Sequence, residues 1–274
     1  MTTSQLSIGL FDSGIGGLTV MKEVAHHLPH ENLIYLGDTA HIPYGEKSKD
    51  AIIQYTIENI KFLLKQKIKL LILACHTASC HALPIIQKEL SIPVFGVIDA
   101  GLQEILSIGP KSNIAILGTT STIESGIYQS LIRKSDMDIK IYPIACPLFV
   151  PLIEEEPLND NAILSAAQKY LKELKDKTVD AAFLACTHYP LIRSTLQNIL
   201  GPKVTLIESS KNVALQVSQW LKNHKLLNTQ KSFPLYELYT TAPSKKFSQL
   251  ARILFDTQAK NTPLLLKSNS IQAL

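Results

Sequence analysis

Short apolar runs alternate along the chain with longer segments of helical period. The runs fall at residues 6–11, 32–36, 70–74 and 94–98, and the series resumes at 114–117, 139–144, 181–185 and 204–207. None alternates apolar with polar, so each predicts a strand buried on both faces, and strands separated by helices predict parallel sheets covered on both sides. The expected class is therefore α/β, doubly wound. Between the runs, Ile52, Tyr55, Ile60, Leu63 and Leu64 recur at helical spacing, and residues 162–174 do the same with Lys and Glu outward. Such stripes mark the core faces of helices.

Two pairs of segments look like copies. Residues 70–75 and 181–186 both end in Leu-Ala-Cys before a helix signal, while residues 8–12 and 114–118 each run into a turn rich in Ser and Thr. The repetition predicts two similar lobes. No Gly/Ser linker separates them, so the chain is expected to cross near Val97 and return near Glu208. The first lobe then comprises residues 1–97 and 208–256, with a further strand at 235–240 and a helix at 244–255. The second comprises residues 98–207. The tail, 257–274, has no period, and Leu264, Leu265 and Leu266 are left unplaced.

Composition narrows the function. The 274 residues are 46% hydrophobic and 18% charged, with a net charge of +4, which describes a folded chain with an ample core. The basic residues are scattered, so no nucleic-acid partner is expected. No apolar run approaches the ~18 residues of a membrane span, and residues 1–5 do not begin a secretory signal. The expectation is a cytoplasmic protein with no membrane partner. Four cysteines are too few for a disulfide scaffold, so each is judged as a thiol.

Cys75 and Cys186 both stand at the carboxyl end of a buried strand, the edge where open α/β sheets bind ligands. A helix start directly after each would lower its pKa from ~8.5 toward neutrality. A single buried Cys is ordinarily a small hydrophobe, but equivalent positions in two lobes point to a pair of acid/base groups. Two thiols facing each other suit removal of a proton from one face of a carbon and its return to the other, with thiol and thiolate exchanging roles. A thiol hydrolase, by contrast, would use one nucleophile and a separate base. Cys80 and Cys146 read as packing residues. Zinc at Cys75-His76 and Cys80-His81 is disfavoured because an offset of five positions turns the second Cys by about 140° on a helix. The expected set of metals and cofactors is empty.

The loop from Asp12 to Gly17 resembles a phosphate cradle, but Thr19 stands where a dinucleotide fingerprint needs its third Gly. Asp38 lies where a ribose-binding acid would be, which keeps a dinucleotide as the weaker reading; N-capping is the plain one for Asp12 and Asp38. Hydroxyls crowd the strand ends, including Ser13, Thr39, Thr77, Thr119 and Thr187, and with helix N-termini they suit a small carboxylate. None of the three Arg residues lies at a strand end, so no Arg clamp is expected. His188, two residues beyond Cys186, could tune that thiol or shuttle its proton. Glu154 has weaker sequence support, since Glu is ordinarily a surface residue.

These residues form a recognisable set. Phe11-Asp-Ser-Gly-Ile-Gly-Gly-Leu-Thr-Val20, Gly37-Asp-Thr-Ala-His-Ile-Pro-Tyr-Gly45, Ala74-Cys-His-Thr-Ala-Ser79, Gly118-Thr-Thr-Ser-Thr122 and Ala185-Cys-Thr-His-Tyr-Pro190 resemble the glutamate racemases of the cofactor-independent aspartate/glutamate racemase superfamily, from Ile8 to about Phe255. The resemblance implies two lobes related by pseudo-twofold symmetry, a cleft enclosing glutamate, and thiols that move the α-proton without pyridoxal phosphate. It implies Cys75 and Cys186 as the acid/bases, the first acting on D-glutamate and the second on L-glutamate. Asp12, Ser13, Tyr44, Gly45, Thr77, Thr187 and His188 would surround the substrate, and Asp12, Asp38, Glu154 and His188 would support catalysis. The product would be D-glutamate for bacterial peptidoglycan. A homodimer is the candidate assembly. The rivals are a racemase for another amino acid, such as aspartate, and a two-lobed glutamate-binding protein.

One departure stands beside the first cysteine. The family usually places Asn there, touching substrate, and this chain has His76. An imidazole cannot offer a donor and an acceptor from one end. If His76 faces the substrate, its titration near ~6.5 should perturb Cys75; if it turns away, Thr77 or Ser79 would take over the work of the amide. A milder departure is Glu208-Ser-Ser210, where Asp-Ser is more common.

Overall fold

The computed structural model describes residues 2–135, 138–230, 233–255 and 264–268. The chain runs through β1 (Ile8–Asp12), α1 (Leu18–His27), β2 (Leu33–Gly37), α2 (Lys49–Lys65), β3 (Leu70–Leu73), α3 (His76–Glu89) and β4 (Val94–Gly96). It continues through α4 (Val97–Ser107), β5 (Asn113–Gly118), α5 (Thr120–Glu124), α6 (Ile127–Arg133), β6 (Lys140–Ala145), α7 (Phe149–Glu154) and α8 (Asp160–Leu171). Then follow β7 (Ala181–Ala185), α9 (Arg193–Leu200), β8 (Thr205–Ile207), α10 (Ser210–Asn223), β9 (Tyr236–Thr240), α11 (Lys245–Phe255) and β10 (Leu264–Ser268).

The strands form two wholly parallel sheets, ordered β10-β9-β2-β1-β3-β4 and β6-β5-β7-β8. The apolar runs become strands because both faces are covered: every residue of β1, β2, β3 and β7 is buried. Each sheet contains the same winding. Its first strand has the second on one side and the third on the other, so the chain reverses direction between β1 and β3, and again between β5 and β7. Such switch points open a crevice at the carboxyl ends of the strands.

The helices follow local signals. Ser48 caps α2 by accepting from the Ala51 amide, and Asn59 and Thr56 share its buried face with Ile52, Ile60 and Leu63. Asn159 caps α8 in the same way through Ala162. Residues 172–174, read from sequence as helix, tighten into a separate 3₁₀ turn. The strand expected at 94–98 stops at Gly96, and α4 begins at once. The unplaced Leu264–Leu266 belong to β10, which pairs in parallel along β9 from Tyr236 to Thr240. The rest of the tail lies outside the described residues. One buried apolar cluster runs from Leu10 and Val24 through Ala100 and Val217 to Leu117 and Leu184, so the two sheets share a core.

At the amino ends of the first sheet's strands, the chain's return is fastened by a buried ion pair. Lys69 Nζ donates to Glu31 Oε2 at 2.5 Å, to the Ser4 carbonyl at 2.7 Å and to the Leu226 carbonyl at 2.9 Å, which uses all three of its protons. Glu31 Oε1 accepts from the Asn228 amide at 2.8 Å. Lys69→Met leaves the Glu31 carboxylate buried without its cation and should cost about 3–5 kcal/mol of stability. Urea unfolding of this variant against Glu31→Leu/Lys69→Met is the check: the double variant, which buries no charge, should lose less than the single one.

Candidate active site

Each switch point delivers a thiol. Cys75 follows β3 and is the N-cap of α3, where its Sγ accepts from the Ala78 amide at 3.4 Å and donates to Ser13 Oγ at 3.3 Å. Ser13 itself follows β1, on the other side of the same switch point. The helix start does not lower the thiol as expected. Burial, reinforced by the negative charge of Asp12, pushes Cys75 up to about 12 against the opposing hydrogen bonds from Ser13 and Ala78.

Cys186 follows β7, but no helix begins there. A 3₁₀ turn at Tyr189–Ile192 intervenes before α9, and Pro190 opens it. The partner of Cys186 is a side chain: His188 Nδ1 lies 3.9 Å from its Sγ, while Nε2 of the same ring is 2.6 Å from Glu154 Oε1. Burial disfavours a charge on His188, yet Cys186 and Glu154 together outweigh it and raise the imidazole well above its ordinary range. Burial would raise Glu154, and His188 reverses that to hold it low, with the Ile15 amide helping at 3.2 Å. The weakest candidate by sequence therefore sits directly behind the second thiol, carried there by α7.

Asp12 joins the two sides. Its Oδ2 accepts from the Gly14 amide at 3.0 Å and its Oδ1 from Thr187 Oγ1 at 3.1 Å. Burial raises its pKa against the pull of His188 and these hydrogen bonds. The glycines after it explain the false likeness to a phosphate cradle. A Cβ on Gly16 would stand 2.4 Å from His188 Nδ1 and 2.5 Å from Thr187 Oγ1, and one on Gly45 would stand 2.5 Å from Thr119 Cβ. These positions let the backbone of one lobe touch the other.

A small cavity lies at this seam, lined by Ser13, Tyr44, Gly45, Cys75, His76, Thr77, Thr119, Val150, Cys186, Thr187 and His188. It brings together most of the residues expected around a substrate. Asp12, expected beside the substrate, does not line it, and neither do Glu154 and Asp38; the last of these stands furthest back. It is fully buried behind Tyr44, accepting from Tyr44 Oη at 2.6 Å, Thr241 Oγ1 at 2.6 Å, His41 Nδ1 at 2.9 Å and Asn59 Nδ2 at 3.1 Å. Its contact with the site passes through the tyrosine.

Thr119, read from sequence only as one of the strand-end hydroxyls suited to a small carboxylate, and Val150, not singled out at all, also line the cavity. Thr119 had a signal, since it follows β5 as Ser13 follows β1, and its Oγ1 lies 2.9 Å from Thr77 Oγ1. Val150 had none, being one apolar residue in an apolar segment.

His76 departs from expectation. Its ring is buried, with Nδ1 2.8 Å from Tyr128 Oη and Nε2 3.2 Å from Ser209 Oγ, so neither nitrogen is free for a substrate. Burial pushes it down to about 3, which leaves no titration near neutrality to tune Cys75. Of the two hydroxyls expected to take over, Thr77 lines the cavity, whereas Ser79 donates to the Leu73 carbonyl at 3.2 Å.

Cys80 is partly buried and pushed up by burial to about 11; Cys146 is buried and raised for the same reason. His81 turns to Ser121 Oγ at 2.8 Å. Among the described residues, no three His, Cys, Asp or Glu side chains converge as a metal site. Arg193 pairs with Glu208 and the Leu206 carbonyl, away from the cavity. Among the described residues, no helix is long and apolar enough to cross a membrane.

A family model described as Asp/Glu/Hydantoin racemase matches residues 15–216. A glutamate racemase of Oceanobacillus iheyensis is 40% identical over 250 residues, 91% of each chain. Among solved structures, a glutamate racemase isoform from Bacillus anthracis superimposes with a TM-score of 0.89 at 30% identity, covering 98% of both chains. The glutamate racemase of Francisella tularensis subsp. tularensis SCHU S4 in complex with D-glutamate gives 0.87 at 36% identity, covering 99% of this chain and 100% of that one. With a family model matched over most of its length and relatives of this identity spanning nearly the whole of both chains, the chain belongs to the Asp/Glu/Hydantoin racemase family.

Proposed function

We propose that this chain interconverts L- and D-glutamate by a two-thiol mechanism, with Cys75 and Cys186 as the acid/base pair. The observation that carries the reading is the meeting of both thiols in one cavity at the two switch points. Relatives about 40% identical over most of the chain are glutamate racemases, which favours glutamate over aspartate. The first lobe is residues 1–97 with 208–256, to whose sheet Leu264–Ser268 adds the edge strand, and the second is 98–207.

In each direction one cysteine, as thiolate, takes the α-proton and the other, as thiol, delivers one to the opposite face of the carbon. The enzyme ends with the two protonation states exchanged, and the reverse reaction restores them. Cys75 begins as a thiol, because burial and Asp12 oppose its charge. A substrate ammonium beside it offsets both, so the thiolate becomes affordable only once an amino acid is bound. Behind Cys186, the charged His188 is a proton reservoir held by Glu154. Asp12, Ser13, Tyr44, Gly45, Thr77 and Thr187 surround the substrate, with Asp38 holding Tyr44. Cys75 acts on D-glutamate and Cys186 on L-glutamate. The reaction uses no added cofactor and supplies D-glutamate for peptidoglycan in the cytoplasm. The assembly is a homodimer, which sedimentation velocity measures.

Proton NMR of L-glutamate with the purified protein in deuterium oxide tests the reaction. Loss of the α-proton signal with formation of the D enantiomer is expected and should persist after exhaustive dialysis against chelator. Exchange of aspartate alone, or tight glutamate binding without exchange, would replace the reading with one of its rivals. Cys75→Ala and Cys186→Ala should each lower racemisation by ~10²- to 10⁴-fold while keeping the wild-type unfolding midpoint; a variant retaining more than a few per cent of the rate is incompatible with two bases.

The His188–Glu154 pair has a defined pH window. The raised His188 contributes stability below its ordinary pKa and loses it as pH rises through the folded value; the lowered Glu154 contributes above its ordinary pKa and loses it as pH falls through the folded value. The pair is therefore charged at neutral pH. Imidazole NMR should find His188 protonated there in the wild type, and Glu154→Gln should move its titration to lower pH.

A further inference from the structure

The substitution beside Cys75 has a physical role that neither charge nor substrate contact explains. His76 is the first residue of α3 and shares a peptide bond with Cys75. Its imidazole reaches three distant parts of the chain. Tyr128 Oη, on α6, meets Nδ1 at 2.8 Å; Ser209 Oγ, at the start of α10, meets Nε2 at 3.2 Å; and the ring of Phe183, on β7, lies edge-on at 5.8 Å. A neutral imidazole has one donor and one acceptor, and a hydroxyl can be either, so Tyr128, His76 and Ser209 form a fully satisfied chain in either tautomer. Tyr128 is itself fixed, its ring 5.0 Å from Phe183 and its hydroxyl close to Gly101 on α4.

These contacts lie where the chain passes between the sheets: α4 follows the first crossing and Ser209 precedes the helix of the second. Thr77 to Thr119, Thr187 to Asp12 and the Ile15 amide to Glu154 also join the two sides, and they do so at the cavity rim. His76 thus holds the crossing side of the seam, one residue from a reacting sulfur.

Resting on the racemase reading, we propose that His76 is a positioning residue: clasped between Tyr128 and Ser209, it fixes the first turn of α3 against the second sheet and so sets where the Cys75 sulfur meets the α-carbon. An amide at this position is too short to make both contacts at once. Misplacement of a reacting group by about 1 Å can cost ~10²-fold in rate, so the clasp matters to catalysis without a hydrogen bond from His76 to the substrate.

Tyr128→Phe and Ser209→Ala remove one hydroxyl each and keep the packing; His76→Asn cannot keep both contacts. Racemisation should fall by ~10-fold or more in the hydroxyl variants. The distinguishing measurement is the primary deuterium isotope effect on kcat/KM with each 2-deuterated enantiomer. Misplacing Cys75 makes its own proton transfer more rate-limiting, so the effect should rise on the enantiomer that Cys75 deprotonates, D-glutamate, and fall on L-glutamate. A general loss of stability would slow both directions without changing this partition. A second readout needs no turnover: alkylation by iodoacetamide, followed by mass spectrometry, should accelerate at Cys75 relative to Cys186. If the wild type racemises glutamate while the hydroxyl variants leave the isotope effects and the alkylation ratio unchanged, the clasp is overturned and the racemase reading stands. If the wild type exchanges no glutamate proton but the variants expose Cys75 selectively, the racemase reading falls and the clasp stands.

Discussion

The constraint on which the rest depends is the close approach of two sheet edges. A carbon can be deprotonated on one face and reprotonated on the other only if two groups reach it from opposite sides. A single doubly wound sheet presents one switch point and hence one side. This chain repeats the winding and presses the two carboxyl edges together so closely that no side chain fits at Gly16 or Gly45. Small hydroxyls fill what remains, and Thr77, Thr119 and Thr122 hydrogen-bond to one another across the seam. Glycine and threonine serve the same end here, since one removes volume and the other binds the sheets without a formal charge that would compete for a carboxylate substrate.

The repeated fold does not carry a repeated electrostatic environment. Around Cys75 stand a hydroxyl, a backbone amide and the nearby negative charge of Asp12, and burial dominates. Around Cys186 stands an imidazole held charged by a carboxylate. The two thiols therefore sit in different surroundings, one where burial and Asp12 oppose a negative charge and one beside a charged imidazole. In the proposed reaction the substrate's ammonium supplies a positive charge to the side that lacks one.

Much of the fold and both sulfurs were legible in sequence because they depend on local patterns. A strand buried on both faces shows as an unbroken apolar run, and Cys75 and Cys186 end two such runs. What could not be read depends on distant partners. Helix position alone argued for a lowered Cys75, but the depth of burial, which no local motif reports, decided the direction. Glu154 looked like a surface residue because its partner lies 34 positions away. His76 looked like a substrate contact because the hydroxyls that claim it are 52 and 133 positions distant. Leu264–Ser268 had no period of its own; its pairing with β9 became visible only in the sheet.

The chain's return to the first sheet is part of the same logic. Asp38 orients Tyr44, which lines the cavity, and one of the hydrogen bonds that hold Asp38 comes from Thr241, just beyond β9. Thr39 adds a second tie to the same segment by donating to the Ala242 carbonyl at 2.7 Å. A carboxylate buried this deeply needs several donors to remain in place. Tyr44 and Asn59 come from the first lobe's opening segment, and Thr241 arrives only after the chain has built the entire second lobe. The wall of the cavity at Tyr44 is therefore complete only when the last part of the first lobe has docked, which ties formation of the site to closure of the whole fold.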